Sequence, residues 1–279
     1  MPNERQRIYN YLRPSKRFPL DFCPGCGIGI FLRTLIRAID RGGYNKDQVV
    51  LVSGIGCTGR VTTYSDFNTL HTTHGRALTF ATGIKLVKPE LKVITIMGDG
   101  DAAAIGGNHL LHAARRNIGI TAIVLNNSIY GMTGGQLSPT TPLAIKTATS
   151  PYGNIENALD ICELVRVAGA NFVARSTIYS VSLMENLIKR AIEKRGFSFL
   201  EVISQCFVQY GKRAGFSSVV EMLEWQRDNS INAEEAAELN EEQLLGKLKV
   251  GVLVERDALS YEERLESLKI SLKSNNNAV

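Results

Sequence analysis

The segment LKVITIMGDGDAAAIGGNHLLHAARRNIGITAIVLNNSIYG, residues 91–131, contains two apolar runs that each end in small and polar residues. The first run ends in GDG at 98–100 and the second in NN at 126–127. Between them, apolar residues have helical spacing, and two arginines fall in the last turn, where the helix dipole favours positive charge. The pattern predicts a strand–helix–strand unit whose parallel strands bring both polar ends to one edge of a sheet.

Apolar runs and helical patterns alternate along most of the chain. Strands are predicted at 48–56, 91–101, 118–131, 171–176 and 197–204, and helices at 28–40, 74–87, 106–116, 155–169 and 182–196. Near-continuous apolar strands that alternate with helices are typical of an α/β fold with a mostly parallel sheet covered by helices on both faces. Ligands of such sheets lie at the carboxyl ends of the strands.

Composition divides the chain into three parts. Residues 1–20 are predicted to form an irregular N-terminal arm, and residues 21–206 a single α/β domain. Residues 207–279 are predicted to be a C-terminal extension with a strand at 249–256 and a helix at 260–273; within it, 217–243 holds eight acidic groups and one basic group. We expect this extension to pack on the core or on a partner subunit.

The bulk composition excludes several classes of protein. The 279 residues are 44% hydrophobic and 21% charged, with a net charge of +5, which is typical of a globular protein. No run of eighteen apolar residues occurs, so no membrane helix is expected. The basic N-terminal stretch lacks the apolar core of a secretion signal, so secretion is not expected. The odd number of cysteines argues against a disulfide framework. We therefore expect a cytoplasmic location. No basic patch interleaved with aromatic residues indicates nucleic-acid binding.

The polar strand ends carry the ligands that Mg²⁺ prefers. Asp99 offers a carboxylate, and Asn126 and Asn127 offer amide oxygens, while the ion completes its octahedral shell with phosphate oxygens and water. The flanking glycines allow a phosphate to approach the backbone, and the N-terminus of the next helix directs N–H groups toward it. The sequence therefore predicts a magnesium–diphosphate site.

Four of the five cysteines lie where they can reach this edge. Cys57 and Cys206 follow predicted strands, in SGIGC and SQC, and Cys23 and Cys26 form CPGC before the first helix. The fifth, Cys162, lies inside a predicted helix and is expected to be a small buried apolar residue.

Three interpretations of the four cysteines are open. A thioredoxin-type redox pair would use only Cys23 and Cys26. Structural zinc usually takes two close pairs, whereas this chain has one pair and two single cysteines. A [4Fe–4S] cluster takes four thiolates, and it is the interpretation that this arrangement favours.

Five motifs occur in one order: CPGCG, VSGIGCTGR, HTTHGRALTFATGIKL, GDGDAAAIGGNH and NNSIYGMTGGQLSPTTP. GDG followed by NN at this spacing resembles the signature of thiamine diphosphate enzymes. Together the five motifs resemble the β subunit of 2-oxoacid:ferredoxin oxidoreductases, and most of all the 2-oxoglutarate enzymes. The resemblance runs from about residue 20 to the end and weakens after Cys206. It implies the pyrophosphate-type (PP-type) thiamine-diphosphate-binding fold.

The resemblance implies a role for particular residues. Magnesium would be held by Asp99, the side chain of Asn127 and the carbonyl of Ile129. Thiamine diphosphate would be lined by Ile55, Gly56, Cys57, Thr58, His74, Gly100, Asp101, Gly131 and Met132. The [4Fe–4S] cluster would be bound by Cys23, Cys26, Cys57 and Cys206. Two residues would act in catalysis: His74 would approach the diphosphate, and the guanidinium of Arg60 would bind the distal carboxylate of the substrate.

The implied reaction is the oxidative decarboxylation of 2-oxoglutarate with coenzyme A to succinyl-CoA and CO2, with reversal as an option. Electrons would pass singly through the cluster to ferredoxin. Thiamine enzymes usually supply the activating glutamate from a second, pyrimidine-binding domain, and this chain has strands for one sheet only. We therefore expect an α subunit to carry that glutamate, with γ and ferredoxin-like δ subunits as further candidate partners.

Other functions fit the sequence less well. A pyruvate or branched-chain 2-oxoacid enzyme would differ in side-chain recognition, and Arg60 argues against it. A dinucleotide-binding module is suggested by GIGCTG at 54–59. However, residues 60–67 are not predicted to open a helix, and no acidic residue follows about twenty positions on. A non-catalytic zinc scaffold would contain zinc without iron.

Overall fold

A sheet of eight strands forms the centre of the computed structural model, which describes residues 4–16 and 19–276. The strands are β1 Val49–Ser53, β2 Asn68–His71, β3 Lys92–Gly98, β4 Ile120–Asn126, β5 Phe172–Thr177, β6 Ser198–Ile203, β7 Ser230–Asn232 and β8 Leu248–Glu255. Their order is β2-β1-β3-β4-β6-β5-β8-β7. All pairs are parallel except β5 with β8. The predicted mostly parallel α/β sheet is confirmed.

Helices cover both faces of this sheet. They are α1 Glu4–Asn10, α2 Ile28–Arg41, α3 Val61–Tyr64, α4 Ala77–Val87, α5 Gly107–Arg116, α6 Ile161–Ala168, α7 Val181–Glu193, α8 Val219–Asn229, α9 Ala233–Ala236 and α10 Tyr261–Asn276. Because side chains alternate along a strand, each central strand contributes side chains to the hydrophobic cores on both faces of the sheet. In β3, Ile94 and Ile96 pack with α2 and α7, whereas Val93 and Met97 pack with α4, α5 and α6.

The register of the central strands brings their carboxyl ends level. Gly98 at the end of β3 pairs with Leu125, and Asn126 at the end of β4 pairs with Ile203 at the end of β6. The loops that follow β1, β3, β4 and β6 therefore meet at one edge. These are the loops that carry the sequence motifs, so the fold brings the motif residues together.

The N-terminal prediction needs a correction. Residues 4–10 form α1 rather than an irregular arm, because this helix has a surface to pack against. Arg7 forms an ion pair with Asp40 of α2, and the hydroxyl of Tyr11 donates a hydrogen bond to the same carboxylate at 3.1 Å. Residues 1–3 and 17–18 of the predicted arm lie outside the described part of the chain.

Several local structures differ from the prediction, and α8, β7 and α9 of the C-terminal extension were not predicted at all. The helix predicted over 155–169 begins only at Ile161, because the Asp160 side chain caps it by accepting a hydrogen bond from the backbone of Glu163 at 3.0 Å. Strand β2 was missed, because NTLH is a half-exposed edge strand without an apolar pattern. Residues 61–64, not predicted to be helical, form the single turn α3, which removes one of the two arguments against a dinucleotide-binding loop.

The segment after Cys206 extends the same sheet. Strand β8 pairs antiparallel with β5, and β7 pairs parallel with β8. Helix α8 packs under the CPGC loop so closely that a Cβ on Gly25 would lie 2.5 Å from a methyl carbon of Val219. This part of the chain therefore supports the loop that carries Cys23 and Cys26.

Across the described ranges, every helix is too short or too polar to cross a bilayer.

Candidate functional site

A cleft of about 110 Å³ lies at the carboxyl edge of β1, β3 and β4. Every residue that the family resemblance assigns to the diphosphate cofactor or magnesium lines it, namely Ile55, Gly56, Cys57, Thr58, His74, Asp99, Gly100, Asp101, Asn127, Ile129, Gly131 and Met132. Asn126, whose amide oxygen was also considered for magnesium, does not line it. We call it the cofactor cleft. Gly98, one of the two glycines predicted to let a phosphate approach the backbone, also lines the cofactor cleft. Tyr130 and Thr133 line it as well, although no role was predicted for them. Their positions inside the quoted motifs were the only available signal.

Asp99 is the most deeply buried acid of the cofactor cleft, with 2% of its surface exposed. Its Oδ2 atom accepts hydrogen bonds from the hydroxyls of Ser138 and Thr140, the latter at 2.8 Å. Burial raises the pKa of Asp99, and these hydroxyl donors oppose the shift. No positively charged side chain pairs with Asp99 in the described chain. A buried carboxylate without a cationic partner fits a divalent cation.

The two asparagines of the NN motif have different surroundings. Asn127 lines the cofactor cleft, and its Oδ1 atom accepts a hydrogen bond from the backbone of Ile129 at 3.3 Å. Asn126 is buried, and its amide donates to Oε1 of Glu201 at 2.8 Å. The Thr140 hydroxyl lies 2.9 Å from Oδ1 of Asn126, so its single proton is shared between this oxygen and Oδ2 of Asp99. Asn126 therefore fixes the loop, whereas Asn127 lines the cleft and its Oδ1 atom keeps a second lone pair for a ligand.

His74 and Asp101 form a pair on the opposite wall. Nδ1 of His74 lies 2.5 Å from Oδ1 of Asp101, and the backbone N–H of Gly75 donates to the same oxygen at 2.7 Å. Burial raises the pKa of Asp101, and the contacts with Gly75 and His74 oppose that shift. The Oδ2 atom of Asp101 is buried without a hydrogen-bond partner. A buried acceptor of this kind fits a ligand that brings a donor or a positive charge.

A second pocket, of about 300 Å³, adjoins the cofactor cleft. It is lined by all four cysteines of the predicted cluster, Cys23, Cys26, Cys57 and Cys206, and we call it the thiol pocket. The four cysteines are free, and come from the CPGC loop, the loop after β1 and the loop after β6. The predicted convergence of one pair and two single cysteines is therefore what the fold produces.

Burial and mutual repulsion both act on these thiols. Burial, with smaller contributions from the nearby Cys206, Cys57 and Cys23, raises the pKa of Cys26 to about 11. Burial also raises the pKa of Cys57, which the guanidinium of Arg60 opposes. Groups that suppress one another's ionisation need a cation to hold them as thiolates. The thiol pocket is thus suited to a metal centre.

The spacing of the sulfurs bears on which centre this is. A single tetrahedral zinc ion, with Zn–S bonds of about 2.3 Å, holds its sulfurs about 3.8 Å apart. Among the described residues, no three of these four sulfurs lie within 4.8 Å of one another. In every set of three, at least one pair of sulfurs is therefore farther apart than the sulfurs around a single zinc ion.

Cys162 lies apart from the thiol pocket, as predicted. It is buried in α6, and its S–H points to Oε2 of Glu201 at 3.4 Å. Asp160, Cys162 and Glu201 are close enough to be considered as metal ligands. However, Arg175 pairs with both carboxylates, at 2.8 and 2.5 Å, so its guanidinium already occupies the carboxylates that a cation would need.

Arg60 lies in the thiol pocket rather than among the residues that line the cofactor cleft. Its guanidinium forms an ion pair with Asp21, a residue that the sequence analysis did not single out. No sequence pattern signals this pair, because the two residues are far apart in the chain and neither belongs to a motif with the other.

The comparison with protein families identifies the class. Residues 45–202 match the C-terminal TPP-binding domain of thiamine pyrophosphate enzymes. This range holds β1 to β6 nearly complete, together with all the residues of the cofactor cleft. The fold and the site therefore define a thiamine pyrophosphate-binding domain.

Comparisons with individual proteins identify the family. The chain is 49% identical to the 2-oxoglutarate synthase subunit KorB of Methanothermobacter marburgensis over 89% of this chain and 87% of that protein. It is 45% identical to KorB of Methanocaldococcus jannaschii over 95% of this chain and 97% of that protein. Among solved structures, 2-oxoglutarate:ferredoxin oxidoreductase from Magnetococcus marinus, with 2-oxoglutarate, coenzyme A and succinyl-CoA bound, superimposes with a TM-score of 0.85 at 31% identity, covering 96% of this chain and 91% of that one.

The chain belongs to the β subunits of 2-oxoacid:ferredoxin oxidoreductases, and within them to the group that includes KorB.

Proposed function

We propose that this chain is the β subunit of a 2-oxoglutarate:ferredoxin oxidoreductase, which converts 2-oxoglutarate and coenzyme A to succinyl-CoA and CO2 and passes electrons to ferredoxin. One observation carries the proposal: the cofactor cleft and the thiol pocket share a wall formed by Cys57, Asn127, Gly131 and Met132. A diphosphate cofactor and an electron acceptor would lie side by side across this wall. The substrate follows the names of the similar proteins.

Asp99, Asn127 and the carbonyl of Ile129 would hold Mg²⁺, and Ser138 and Thr140 would orient Asp99 toward it. The glycines at 98 and 100 allow a phosphate to come close to the backbone. His74 and Asp101 would hold a proton between Nδ1 and Oδ1 beside the diphosphate. When bound, thiamine diphosphate supplies the electron sink for decarboxylation and an adjacent cluster supplies a single-electron acceptor.

Cys23, Cys26, Cys57 and Cys206 would bind a [4Fe–4S] cluster. The support is their convergence in one pocket and the spacing of their sulfurs, of which no three lie as close together as the sulfurs around a single zinc ion. Free cysteines of this kind fit a reducing compartment, and we propose a cytoplasmic location.

A partner is part of the proposal. The eight strands of the described chain form one sheet, so the glutamate that activates thiamine would come from an α subunit, with γ and ferredoxin-like δ subunits as further candidates. The cofactor cleft faces outward: Ile55 and Met132 on its rim are 41% and 48% exposed, as expected for a surface that a partner covers.

Arg60 remains a candidate for binding the distal carboxylate of 2-oxoglutarate. Guanidinium groups bind carboxylates well, and the ion pair with Asp21 is an example of such binding within this chain. A substrate carboxylate would have to replace Asp21, because the two would use the same guanidinium. Pyruvate and branched-chain 2-oxoacids lack that carboxylate, so the ion pair with Asp21 would persist with them.

The test is an assay of the assembled enzyme. The chain would be co-expressed with its α-type partner, purified without oxygen, and assayed for viologen reduction with 2-oxoglutarate, pyruvate and 2-oxoisovalerate, each with and without coenzyme A. We expect coenzyme A-dependent reduction with 2-oxoglutarate alone. Reduction with pyruvate instead would agree with the family assignment but overturn the proposal that 2-oxoglutarate is the substrate. Zinc without iron or acid-labile sulfide in the purified complex would overturn the cluster.

A further inference from the structure

Arg60 and Asp21 form an ion pair at the edge of the thiol pocket, and both residues line it. Both side chains are partly exposed, at 39% for Arg60 and 60% for Asp21. An exposed ion pair contributes little to stability. Stability therefore does not explain why this ion pair lies beside four thiols.

Local structure fixes the positive member of the pair next to one thiol. Cys57 precedes the single 3₁₀ turn Thr58–Arg60, and the backbone N–H of Arg60 donates to the carbonyl of Cys57 at 3.3 Å. The turn continues directly into α3, so the backbone of Arg60 is held next to Cys57. Its Nε atom is buried and has no hydrogen-bond partner in the described part of the protein. The guanidinium therefore keeps one donor that no group of the described residues uses.

The negative member is fixed from the other side. The backbone N–H of Asp21 donates a hydrogen bond to the Tyr64 hydroxyl at 2.8 Å, and the neighbouring Phe22 ring packs at 5.4 Å from the ring of Tyr64. Because Tyr64 ends α3, the same short helix positions both charges. A positive charge on Arg60 and a negative charge on Asp21 therefore lie together at the rim of the thiol pocket.

We propose that Arg60 and Asp21 set the reduction potential of the metal centre held by the four cysteines, with Arg60 raising the potential and Asp21 lowering it. The inference rests on the cluster of the proposed function. Uptake of one electron adds one negative charge in the thiol pocket, and a nearby guanidinium stabilises that charge, whereas a nearby carboxylate opposes it. Net charge and hydrogen bonds to the sulfurs are among the factors that tune such centres.

Opposite shifts from the two partners make a sharp test. In the anaerobic complex with the α subunit, iron and acid-labile sulfide would be measured first, and the midpoint potential then determined by redox titration followed by electron paramagnetic resonance. We expect Arg60→Gln to shift the potential to more negative values and Asp21→Asn to more positive values. Arg60→Lys, which keeps the charge, should shift it less than Arg60→Gln does.

Arg166→Gln is the matched control, because it removes a half-exposed arginine that is also paired with a carboxylate, Glu163, on α6. It should leave the potential unchanged. If Arg60→Gln and Asp21→Asn keep normal iron and unchanged potentials, the inference is overturned. If the potentials are unchanged and Arg60→Gln also has a raised KM for 2-oxoglutarate, Arg60 is assigned to substrate binding instead. If the wild-type complex contains no iron and no acid-labile sulfide, the proposed cluster itself is refuted.

Discussion

Nδ1 of His74 lies 2.5 Å from Oδ1 of Asp101, a contact that joins the loop after β2 to the π-helical turn after β3. The pair spans 27 positions of the sequence. It closes one wall of the cofactor cleft, and it brings a titratable ring to a carboxylate whose pKa burial raises.

We expect His74→Leu to weaken thiamine diphosphate binding by about tenfold or more, because a hydrogen bond to a charged group contributes about 1.5–3 kcal/mol. Isothermal titration of the assembled complex would measure the dissociation constant. His74→Gln keeps a side-chain donor and should restore part of the affinity. His112→Leu, on α5 and hydrogen-bonded to Arg115, is the control. Equal affinity in wild type and His74→Leu would contradict the role.

The hydroxyl of Thr140 lies 2.8 Å from Oδ2 of Asp99 and 2.9 Å from Oδ1 of Asn126, and its single proton is shared between them. Replacing Thr140 with valine removes both contacts with little change in shape. We expect the Mg²⁺ requirement for cofactor binding to rise about 10–100-fold, as is usual when a group that orients a metal ligand is lost. A magnesium titration at fixed cofactor concentration checks this, and Thr140→Ser should rescue the affinity. A valine variant that behaves like the wild type would show that Asp99 needs no such support.

Gly54 has no room for a side chain, since a Cβ there would lie 2.0 Å from Oδ2 of Asp101. Gly54→Ala should displace Asp101 and weaken cofactor binding about tenfold, because overpacking typically costs about 1–3 kcal/mol.

Gly83→Ala is the matched control for this substitution. Gly83 is exposed in α4, and a Cβ added there would have nothing within 4 Å. The variant should keep full binding and raise the free energy of unfolding by about 0.5–1 kcal/mol, measured by urea denaturation. Unchanged binding in Gly54→Ala would contradict the tight approach of Asp101.

The metal-free chain should lose stability as pH rises from about 9 to about 11. Burial raises the pKa of Cys26 from 9.0 to about 11, so the folded chain keeps a proton that the unfolded chain releases in this range. The stabilisation is complete below pH 9 and is lost as the pH passes the folded pKa. Thermal unfolding between about pH 8 and 11 would show a flatter profile for Cys26→Ser than for wild type.

Cys23→Ser is the control for that profile, because it removes an exposed thiol from the same loop. It should keep the wild-type slope. A Cys26→Ser profile as steep as that of the wild type would show that other groups cause the pH dependence.

Cys206→Ser should abolish stoichiometric iron binding, because it removes one of the four thiols of the thiol pocket. Cys162→Ser should keep it, because Cys162 is buried in α6 next to Glu201. Iron and sulfide analysis of the anaerobic complexes compares the two variants directly. Iron loss in Cys162→Ser at unchanged folding would contradict the assignment of ligands.

The sequence determined the sheet and the members of the site. Apolar runs that end in GDG and NN predict parallel strands, and parallel strands place their ends at one edge. The residues that the family resemblance assigns to the cofactor and magnesium line the cofactor cleft, and the four predicted cysteines share one pocket. Local sequence patterns suffice to predict this edge of the sheet, because strand periodicity and chain direction together determine which strand ends lie side by side.

Tertiary structure alone decided how these residues are supported. Ser138 and Thr140 bond to Asp99, and Asp21 pairs with Arg60, through contacts between segments about 40 positions apart. The helix predicted at 155–169 failed in its first turns for a related reason: Asp160 caps a shorter helix and also pairs with Arg175 of β5. A pattern along the chain reports which face a residue occupies, but the partner of a polar side chain depends on which loops the folded sheet brings together.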